Sequence, residues 1–558
     1  MEQPILPPTY YHTNFLFLLS FVQEKYKPLL IGEEWQLLRR FYCLSEEAQC
    51  LFVRFCNRRG LYFRTHALVY PEIPSVDAAL LELLTKGFAR PTPVQIDEVP
   101  AVLSLFSKEE LKEIFPISGK KGLKKGDYVE AILQTIPAKD LLTALQHYPC
   151  IVVEFQERIA FLKFLFFGNR AMDMTEFVLR DLGLQSYAAY HQDDLVARFQ
   201  TRKEAEDKWR VSDYFEVFYQ LTQAKSDPRM VYDWFLTAAE EAQAMEDIAR
   251  RSFERLALKV GGFLERNRCF DEALEVYSRT DQVPSRERRV RILEKQKDIE
   301  AAKALCQWMI DQPINADEHI FAQDRLIQFA QSKKRIKNAT TEWLLKSPLV
   351  VIPSDFRGQV EQGVALHFIS HGWQAVHIEN HVWRSLFGLV FWDILFDPRF
   401  VAFHHPFQRR PSDLHLPDFY LKRQSDIQAR LEALIEPAEV MHDLFGVFQE
   451  NYGKVNPFVA WVEEMWGLCR VILERVPVEV WKKVLAKMAE NPTENSRGFP
   501  DLMIWKENQI EWVEVKSPTD HLSNQQLFWQ RFFEEIGLKA FVQRVQFENL
   551  ASNASHNS

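Results

Sequence analysis

The chain has few cysteines, no long apolar run and no excess of positive charge, and each shortage argues against a class of protein. Its 558 residues include seven cysteines, an odd number, and none of them forms a C-x-x-C pair. A disulfide framework or a zinc ribbon is therefore not expected, and a reducing compartment fits better. The cysteines are Cys43, Cys50, Cys56, Cys150, Cys269, Cys306 and Cys469.

A long hydrophobic segment is also missing. The apolar run at 15–22 follows an acidic residue, Glu2, and the polar residues 23–25 end it. It is much shorter than the roughly 20 residues that span a bilayer, and it lacks the basic start of a signal peptide. We therefore expect a soluble, cytoplasmic protein with no membrane association.

Positive charge is not in excess, because the formal net charge is -9. This argues against a globally basic nucleic-acid coat, although a local basic groove can coexist with an acidic remainder. Hydrophobic residues make up 47% and charged residues 26% of the chain. The composition is typical of a globular protein with roughly three or four domains. Only the tail at 549–558 is predicted to be disordered.

Apolar residues recur at helical spacing over 34–137, which predicts several short helices. Inside this stretch, 107–134 has the pattern of a helix, a turn at 118–122 and a second helix, with Ser107 as the first N-cap. Four lysines crowd the turn and the second helix start: Lys120, Lys121, Lys124 and Lys125. Backbone N–H groups at a helix start also favour anions, so this spot is predicted to bind phosphate. A solvated lysine-rich turn is the alternative.

A weak internal repeat lies in the middle of the chain. Residues 270–277 and 299–306 align at an offset of 29, with Ala273 and Ala302 where two helices can approach closely. This spacing suggests paired-helix repeats of tetratricopeptide type, whose usual role is that of a scaffold.

The residue pattern changes again towards the C-terminus. The stretch 381–396 is predicted to be one long apolar helix, and 437–490 further helices. Strand texture follows at 502–505 and 510–515 around a turn at 506–509, then a helix at 524–536 and a closing strand at 540–547. These elements predict a compact mixed α/β domain.

The hairpin carries candidate catalytic residues. Glu514 and Lys516 are two apart on a strand and share a face, and the hairpin brings Asp501 across from them. Two carboxylates suit a divalent cation, the Val515 carbonyl could add a further oxygen, and Lys516 would orient or deprotonate the attacking water. The pattern is that of a phosphodiester-cutting site. The alternative is the polar face of an edge strand.

The motifs around this hairpin resemble a known family. The chain reads G-F-P-D-L at 498–502, V-E-V-K-S-P at 513–518 and L-S at 522–523, followed by Gln526 and Trp529. This arrangement resembles the VRR-NUC branch of the PD-(D/E)-x-K nucleases, and more closely the Fanconi-associated nuclease family. The terminal strand, F-V-Q-R-V at 541–545, matches the V-R-R of the branch only loosely.

The resemblance extends over most of the chain and implies a multidomain, mostly α-helical fold. Residues 44–49 and 52–54 are similar to the family's early helical region, and 111–133 to its SAP-type DNA-binding helices. The implied domains are an N-terminal helical DNA-binding region at 1–230 with SAP-like helices at about 95–136, tetratricopeptide-like repeats at 231–345, an α/β PD-(D/E)-x-K nuclease domain at 346–548 and the tail at 549–558.

The resemblance also implies a set of site residues. Glu379 precedes R-S-L-F-G-L at 384–389, as the family's distant acidic ligand does. Residues alone would not select it over Glu361 or Asp393. The implied metal ligands are Glu379, Asp501, Glu514 and the Val515 carbonyl, holding two Mg²⁺ or Mn²⁺ ions. Gln526 matches a position near the active site, although helix packing explains Gln526 and Trp529 equally well.

The implied activity is that of a phosphodiesterase I type, structure-selective DNA nuclease. It would cut 5′ flaps and degrade 5′ to 3′ in the repair of interstrand crosslinks. No ubiquitin-binding zinc finger is found, so a bacterial-type member that associates with the nucleoid on DNA is expected. The histidines at 367, 371, 377, 381, 404 and 405 are interpreted as structural or solvent-facing, and a role near Glu379 is the alternative. The alternative functions are a non-catalytic DNA-junction adaptor with a vestigial nuclease fold and an RNA-directed nuclease.

Overall fold

The computed structural model of the protein describes residues 6–58, 60–92, 94–117, 122–188, 191–330 and 337–548. The chain divides into two compact units, Met1–Leu184 with Ala197–Trp209 and Gln185–Val196 with Arg210–Ser558. The domain limits expected near residues 230 and 345 stay predictions.

The first unit is mainly helical and contains one small sheet. Its elements are α1 (Tyr10–Lys25), α2 (Gly32–Tyr42), α3 (Glu46–Cys56), β1 (Tyr62–Arg64), α4 (Val76–Thr85), β2 (Ala89–Thr92), α5 (Val99–Leu103), α6 (Lys108–Ile114), α7 (Lys125–Thr135), α8 (Ala138–Leu145), β3 (Cys150–Val153), α9 (Gln156–Phe167) and α10 (Thr175–Asp181). The strands form an antiparallel sheet in the order β1-β3-β2.

The several short helices predicted over 34–137 are found, but the prediction does not include β1 and β2, which lie in the same stretch. These strands have three and four residues, too few for the alternating pattern of a strand to emerge from the sequence. The helix, turn and helix predicted at 107–134 are confirmed as α6 and α7. Ser107 Oγ accepts the N–H of Glu110, and the Glu110 carboxylate accepts the N–H of Ser107. This reciprocal capping box starts α6.

The apolar run at 15–22 is part of α1 and belongs to the core. Phe15, Leu18, Phe21 and Val22 are fully buried there. Among the residues that the structure describes, no helix is both long enough and apolar enough to cross a membrane.

The second unit contains a run of helices, the first of which starts in the first unit and enters the second at Arg210. These are α11 (Arg202–Gln223), α12 (Pro228–Ala242), α13 (Asp247–Arg266), α14 (Phe270–Ser278), α15 (Ser285–Gln296), α16 (Ile299–Asp311), α17 (Ala316–Ala330) and α18 (Ala339–Lys346). From α12 to α17 each helix packs against its chain neighbours. Ala273 and Ala302 are fully buried in α14 and α16, as the predicted repeat requires.

The same unit ends in an α/β region. Its elements are β4 (Leu349–Ile352), α19 (Val360–Ser370), β5 (Gln374–His377), α20 (His381–Val390), α21 (Trp392–Leu395), α22 (Phe419–Ala433), α23 (Pro437–Glu450), α24 (Met465–Arg475), α25 (Val478–Glu490), β6 (Leu502–Lys506), β7 (Gln509–Lys516), α26 (Asn524–Ile536) and β8 (Ala540–Phe547). The predicted hairpin, the following helix and the closing strand are confirmed.

The five strands form a mixed sheet in the order β4-β8-β7-β6-β5. β6 pairs antiparallel with both β7 and β5, whereas β8 lies parallel to β7 and β4. A parallel pair needs a crossover, and α26 supplies it between β7 and β8. Helix α19 packs on the sheet over an apolar core that includes Val364, Ile504 and Val513.

The prediction of one helix over 381–396 is wrong, because the helix is interrupted at Phe391. At the break, the Val390 carbonyl accepts a hydrogen bond from Arg430 Nη1 at 2.9 Å. Both pieces are largely buried, so the apolar pattern runs through the break and gives no sign of it.

Candidate active site

The candidate site lies where β6 and β7 separate at one end of the hairpin. The last pair between these strands is Leu502 with Val513, so the residues after Val513 extend past β6. Asp501, just before β6, fills the gap with its side chain. Its Oδ2 accepts the backbone N–H of Val515 at 2.8 Å, which fixes this carboxylate against β7.

Glu514 and Lys516 project from the same side of β7, as the strand alternation predicts. Glu514 is fully buried and Lys516 is 8% exposed. Lys516 Nζ lies 2.7 Å from Glu514 Oε1, and Gln526 Nε2 donates to the same oxygen at 2.5 Å. Glu514 Oε2 is buried with no hydrogen-bond partner. In the Glu514 carboxylate, Oε1 therefore has two partners and Oε2 has none.

The electrostatics of this cluster disfavour ionisation of both carboxyl groups, those of Glu514 and Asp501. Burial, followed by the nearby charge of Asp501, raises the pKa of Glu514 to about 8 against the opposing pull of Lys516. Burial also raises the pKa of Asp501, although the Val515 N–H and the Lys516 ammonium lower it. The site is thus short of positive charge.

Glu379 reaches the same place by its backbone. It follows β5, and the N–H groups of Ile378 and Glu379 both donate to the Asp501 carbonyl, at 2.8 and 3.1 Å. Glu379 has a left-handed backbone with φ of 40°, and its side chain is 54% exposed. His377 and His381 flank its carboxylate with their Nε2 atoms 3.9 Å away. The structure thus brings Glu379, Asp501, Glu514, Val515 and Lys516 together.

The other residues that the sequence suggested for Glu379's role lie differently. Asp393 forms an ion pair with Arg430 at 2.5 Å. Glu361, in the first turn of α19, faces Asp501 closely enough that its charge adds to the effect of burial in raising the pKa of Asp501. The residue pattern alone does not identify Glu361 as a site residue. Its proximity to Asp501 arises only when α19 packs on the folded sheet.

Asp520 is a further acidic residue that sequence reasoning missed. Its Oδ2 accepts the N–H of Ser517 at 2.9 Å. Against the effect of burial, the hydrogen bonds from Ser517 and then the charge of Lys516 lower the pKa of Asp520. Its position four residues after Lys516 is the only signal in the sequence, and such a spacing carries little meaning in a loop.

Gln526 contacts the site, whereas Trp529 does not. Gln526 Oε1 accepts the N–H of Ser523 at 2.9 Å in the capping box of α26, and its Nε2 binds Glu514. Trp529 is fully buried, stacks on Phe499 and donates its Nε1–H to the Arg497 carbonyl. Helix packing accounts for Trp529.

The lysine turn is described only in part. Lys120 and Lys121 lie outside the described residues. Lys124 and Lys125 are exposed at the N-cap and first position of α7, and Lys125 Nζ donates to the Ser104 carbonyl at 2.7 Å. The two lysines are therefore available at a helix start, where anions are favoured.

The oxygen-rich donor set suits a hard divalent cation. The unsatisfied Glu514 Oε2 and the raised pKa of Glu514 mark the place where positive charge is lacking. In the described part of the chain, however, no three His, Cys, Asp or Glu side chains already surround one metal position. Instead, the Lys516 ammonium lies against Glu514.

Comparison with known proteins supports this interpretation of the site. The family model for the VRR-NUC domain matches residues 440–547, which include Asp501, Glu514, Lys516 and Gln526. The model for the FAN1 HTH domain matches residues 9–90. The N-terminal match covers a region for which the residue pattern predicts only short helices.

Several relatives are similar to this chain over nearly all of its length. A Fanconi-associated nuclease 1 homolog from Pseudomonas aeruginosa is 28% identical over 98% of both chains. One from Arabidopsis thaliana is 25% identical over 98% of this chain and 68% of its own. The crystal structure of paFAN1 bound to 2nt 5′flap DNA with gap has a TM-score of 0.85 and 26% identity, covering 98% of this chain and all of that one. The chain thus matches both the FAN1 HTH domain and the VRR-NUC domain, and over nearly its full length it is similar to Fanconi-associated nucleases.

Proposed function

We propose that this chain is a structure-selective DNA nuclease that cuts 5′ flaps and degrades DNA 5′ to 3′ in the repair of interstrand crosslinks. The observation that carries the proposal is the cluster of Asp501, Glu514 and Lys516 at the open end of the hairpin. It lies in a fold shared with a relative that was crystallised on 5′-flap DNA.

We expect this chemistry to depend on divalent metal, as the match to the VRR-NUC domain implies. The residues that would hold it are Glu379, Asp501 and Glu514 with the Val515 carbonyl, and we expect two Mg²⁺ or Mn²⁺ ions. The Val515 carbonyl is suitable because the N–H and C=O of one strand residue point to the same edge, and the N–H already points at Asp501. Bound cations would neutralise charge that develops on the phosphate and stabilise the leaving oxygen.

Lys516 is the residue that handles the attacking water. Its ammonium is buried beside Glu514, which holds it in one place. If Glu514 held a cation, its ion pair with Lys516 would weaken and leave the Lys516 head group free to act on the water. It would then orient the water or accept its proton.

A cleft beside α26 offers room for a displaced single strand. It has a volume of about 1430 Å³ and lies among helices of the repeat segment and α25 and α26. Its lining carries both signs of charge in equal number. The residues able to contact phosphate are Arg251, Arg255, Arg279, Lys487 and Arg531, and they lie among Glu254, Asp281, Glu490, Glu494 and Glu535. Helix α26 connects it to the active site, because Gln526 in its first turn contacts Glu514 and Arg531 follows about one and a half turns later. Phosphate contacts of this kind would select the shape of the substrate rather than its bases.

The alternatives are a non-catalytic junction adaptor and an RNA-directed nuclease. Intact Asp501, Glu514 and Lys516 side chains, positioned together, disfavour the adaptor. The test is cleavage of matched 5′-flap, 3′-flap and plain duplex DNA, and of a 5′ RNA flap, each with Mg²⁺ and with Mn²⁺. We expect the 5′ DNA flap to be cut fastest, and a bacterial cytoplasm to be the natural setting. A preference for the RNA flap, or no cutting of any substrate, would contradict the proposal.

A further inference from the structure

Three hydrogen bonds join the segment before α20 to the segment before β6. The N–H groups of Ile378 and Glu379 donate to the Asp501 carbonyl at 2.8 and 3.1 Å. In return, the Phe499 N–H donates to the side-chain Oδ1 of Asn380 at 3.1 Å. Asn380 and Phe499 are 119 residues apart in the chain, so this clamp is a tertiary contact and not a local turn.

Asn380 stands at the N-cap of α20 but does not cap it. Asparagine is favoured at this position because its side chain usually accepts an N–H from the first turn of its own helix. No such bond is formed here, although Asn380 is at the N-cap. The acceptor oxygen reaches Phe499 instead. Helix capping therefore does not account for this residue.

Glu379 depends on its backbone for its position. Its carboxylate is 54% exposed, and its ionic neighbours His377 and His381 are as far as 3.9 Å away. Its backbone has φ of 40°, a conformation that is unfavourable for a residue with a side chain and persists only where the surroundings enforce it. The clamp on either side of Glu379 supplies that enforcement.

The segment before Asp501 is held from its other side by α26. Gly498 has φ of 80°, and a Cβ there would lie 2.8 Å from Gln525 Cγ and 3.0 Å from the Gln525 backbone. The Arg497 carbonyl accepts the indole N–H of Trp529 at 3.0 Å. Residues 497–501 are thus gripped by the α20 side and by α26, the helix that contacts Glu514 through Gln526.

We propose that Asn380 is a positioning residue that keeps Glu379 and Asp501 in register, so that both can serve one metal centre. The proposal rests on the function proposed above, because it assigns those two carboxylates to the metal. The effect depends on the hydrogen bond that the Asn380 side-chain oxygen accepts from Phe499, and not on capping of α20. Removing the acceptor should weaken metal binding without removing any metal ligand.

The test compares Asn380→Ala and Asn380→Ser with Asn380→Asp. Serine can cap a helix but is too short to reach Phe499, whereas aspartate keeps an acceptor oxygen in place. The control is Asp298→Ala, because Asp298 is a true cap that accepts the Ala301 N–H at 3.1 Å in the repeat helix α16. For each full-length variant, Mn²⁺ binding is measured by calorimetry without DNA, 5′-flap cleavage is measured against Mn²⁺ concentration, and the melting temperature is recorded.

We expect Asn380→Ala and Asn380→Ser to need about fivefold more Mn²⁺ in both assays, the equivalent of one hydrogen bond removed. Asn380→Asp should stay within about twofold of the wild type. Asp298→Ala should melt earlier with an unchanged Mn²⁺ dependence. Should Asn380→Ala fail to fold, the serine variant carries the comparison.

Wild-type Mn²⁺ dependence in the serine variant would overturn the proposal. So would equal impairment of the serine and aspartate variants, because the acceptor oxygen would then be irrelevant. Absence of flap cleavage by the wild type would instead contradict the proposed function. The calorimetric comparison would still decide whether Asn380 positions a metal site.

Discussion

Gln526 donates its side-chain N–H to Oε1 of Glu514 at 2.5 Å, and the same amide closes the capping box of α26 through Ser523. The first turn of α26 is therefore attached to a buried carboxylate of the candidate site. A shift of the first turn of α26 would therefore change the hydrogen bond to Glu514.

Replacing Gln526 should slow cleavage. Gln526→Ala removes a hydrogen bond to a buried charged group, and we expect about a tenfold lower rate on a 5′ flap. Gln526→Glu keeps an acceptor for Ser523 but sets a second negative charge against Glu514, so the loss should be larger. Gln509→Ala, at the exposed other end of β7, is the control. Wild-type rates in both Gln526 variants would show that the interaction is only packing.

The ionisation of Glu514 should make the metal-free protein less stable as pH rises. Burial raises the pKa of Glu514 to about 8, while an unfolded glutamate titrates near about 4.3. Between these values the native state binds more protons than the unfolded state, so the free energy of unfolding falls with increasing pH. Glu514→Gln cannot ionise and should gain stability over the wild type from about pH 5 to about pH 8.

The measurement is urea unfolding of both proteins in EDTA at several pH values. The variant should be more stable at pH 8 and nearly equal at low pH, and added divalent metal should remove the wild-type deficit. A difference that stays constant across this window would contradict the raised pKa of Glu514.

Substitutions of three acidic residues distinguish carboxylates that serve the metal site from one that forms only a structural ion pair. Glu379→Gln and Glu361→Gln should each lower flap cleavage at least about tenfold at limiting metal, because the Glu379 backbone is hydrogen-bonded to Asp501 and the charge of Glu361 acts on Asp501. Asp393→Asn breaks an ion pair with Arg430 on the surface and should leave cleavage unchanged. The readout is the cleavage rate against metal concentration. Loss of activity in Asp393→Asn with full activity in Glu379→Gln would reverse the assignment.

The lysine turn should contribute to DNA binding by charge alone. Neutralising Lys120, Lys121, Lys124 and Lys125 to Gln should weaken binding to all DNA sequences alike. It should also flatten the plot of log affinity against log salt, by up to about 0.9 for each phosphate that is no longer neutralised. Lys303→Gln and Lys346→Gln, in ion pairs on the repeat segment and on α18, are the controls. An unchanged slope would identify the turn as ordinary solvated surface.

Much of the site is predictable from sequence because the chemistry is local to one hairpin. Strand alternation places Glu514 and Lys516 on one face, and the turn brings Asp501 opposite, so the spacing alone predicts the cluster. The helix at 524–536 and the strand at 540–547 are also predictable, because each has a clear start signal and uniform texture.

The features that escape prediction depend on tertiary contacts. Glu379 joins the site through backbone bonds to Asp501, and Glu361 through the turn of α19. Neither interaction leaves a periodic trace, so Glu379 is identified only by family resemblance. The break after Val390 is similar, because the hydrogen bond at this break comes from Arg430, 40 residues away. The short strands β1 and β2 escape because their pairing partner, β3, comes about 60 residues or more later.

The central claim is that Asp501 and Lys516 carry phosphodiester hydrolysis on 5′-flap DNA. The most direct measurement is single-turnover cleavage of a 5′ flap with Mg²⁺ or Mn²⁺ by the wild type, Asp501→Ala and Lys516→Ala, with flap binding measured in parallel. We predict that both variants bind the flap and that cleavage falls by at least about a hundredfold. Unchanged cutting by Asp501→Ala would contradict the claim.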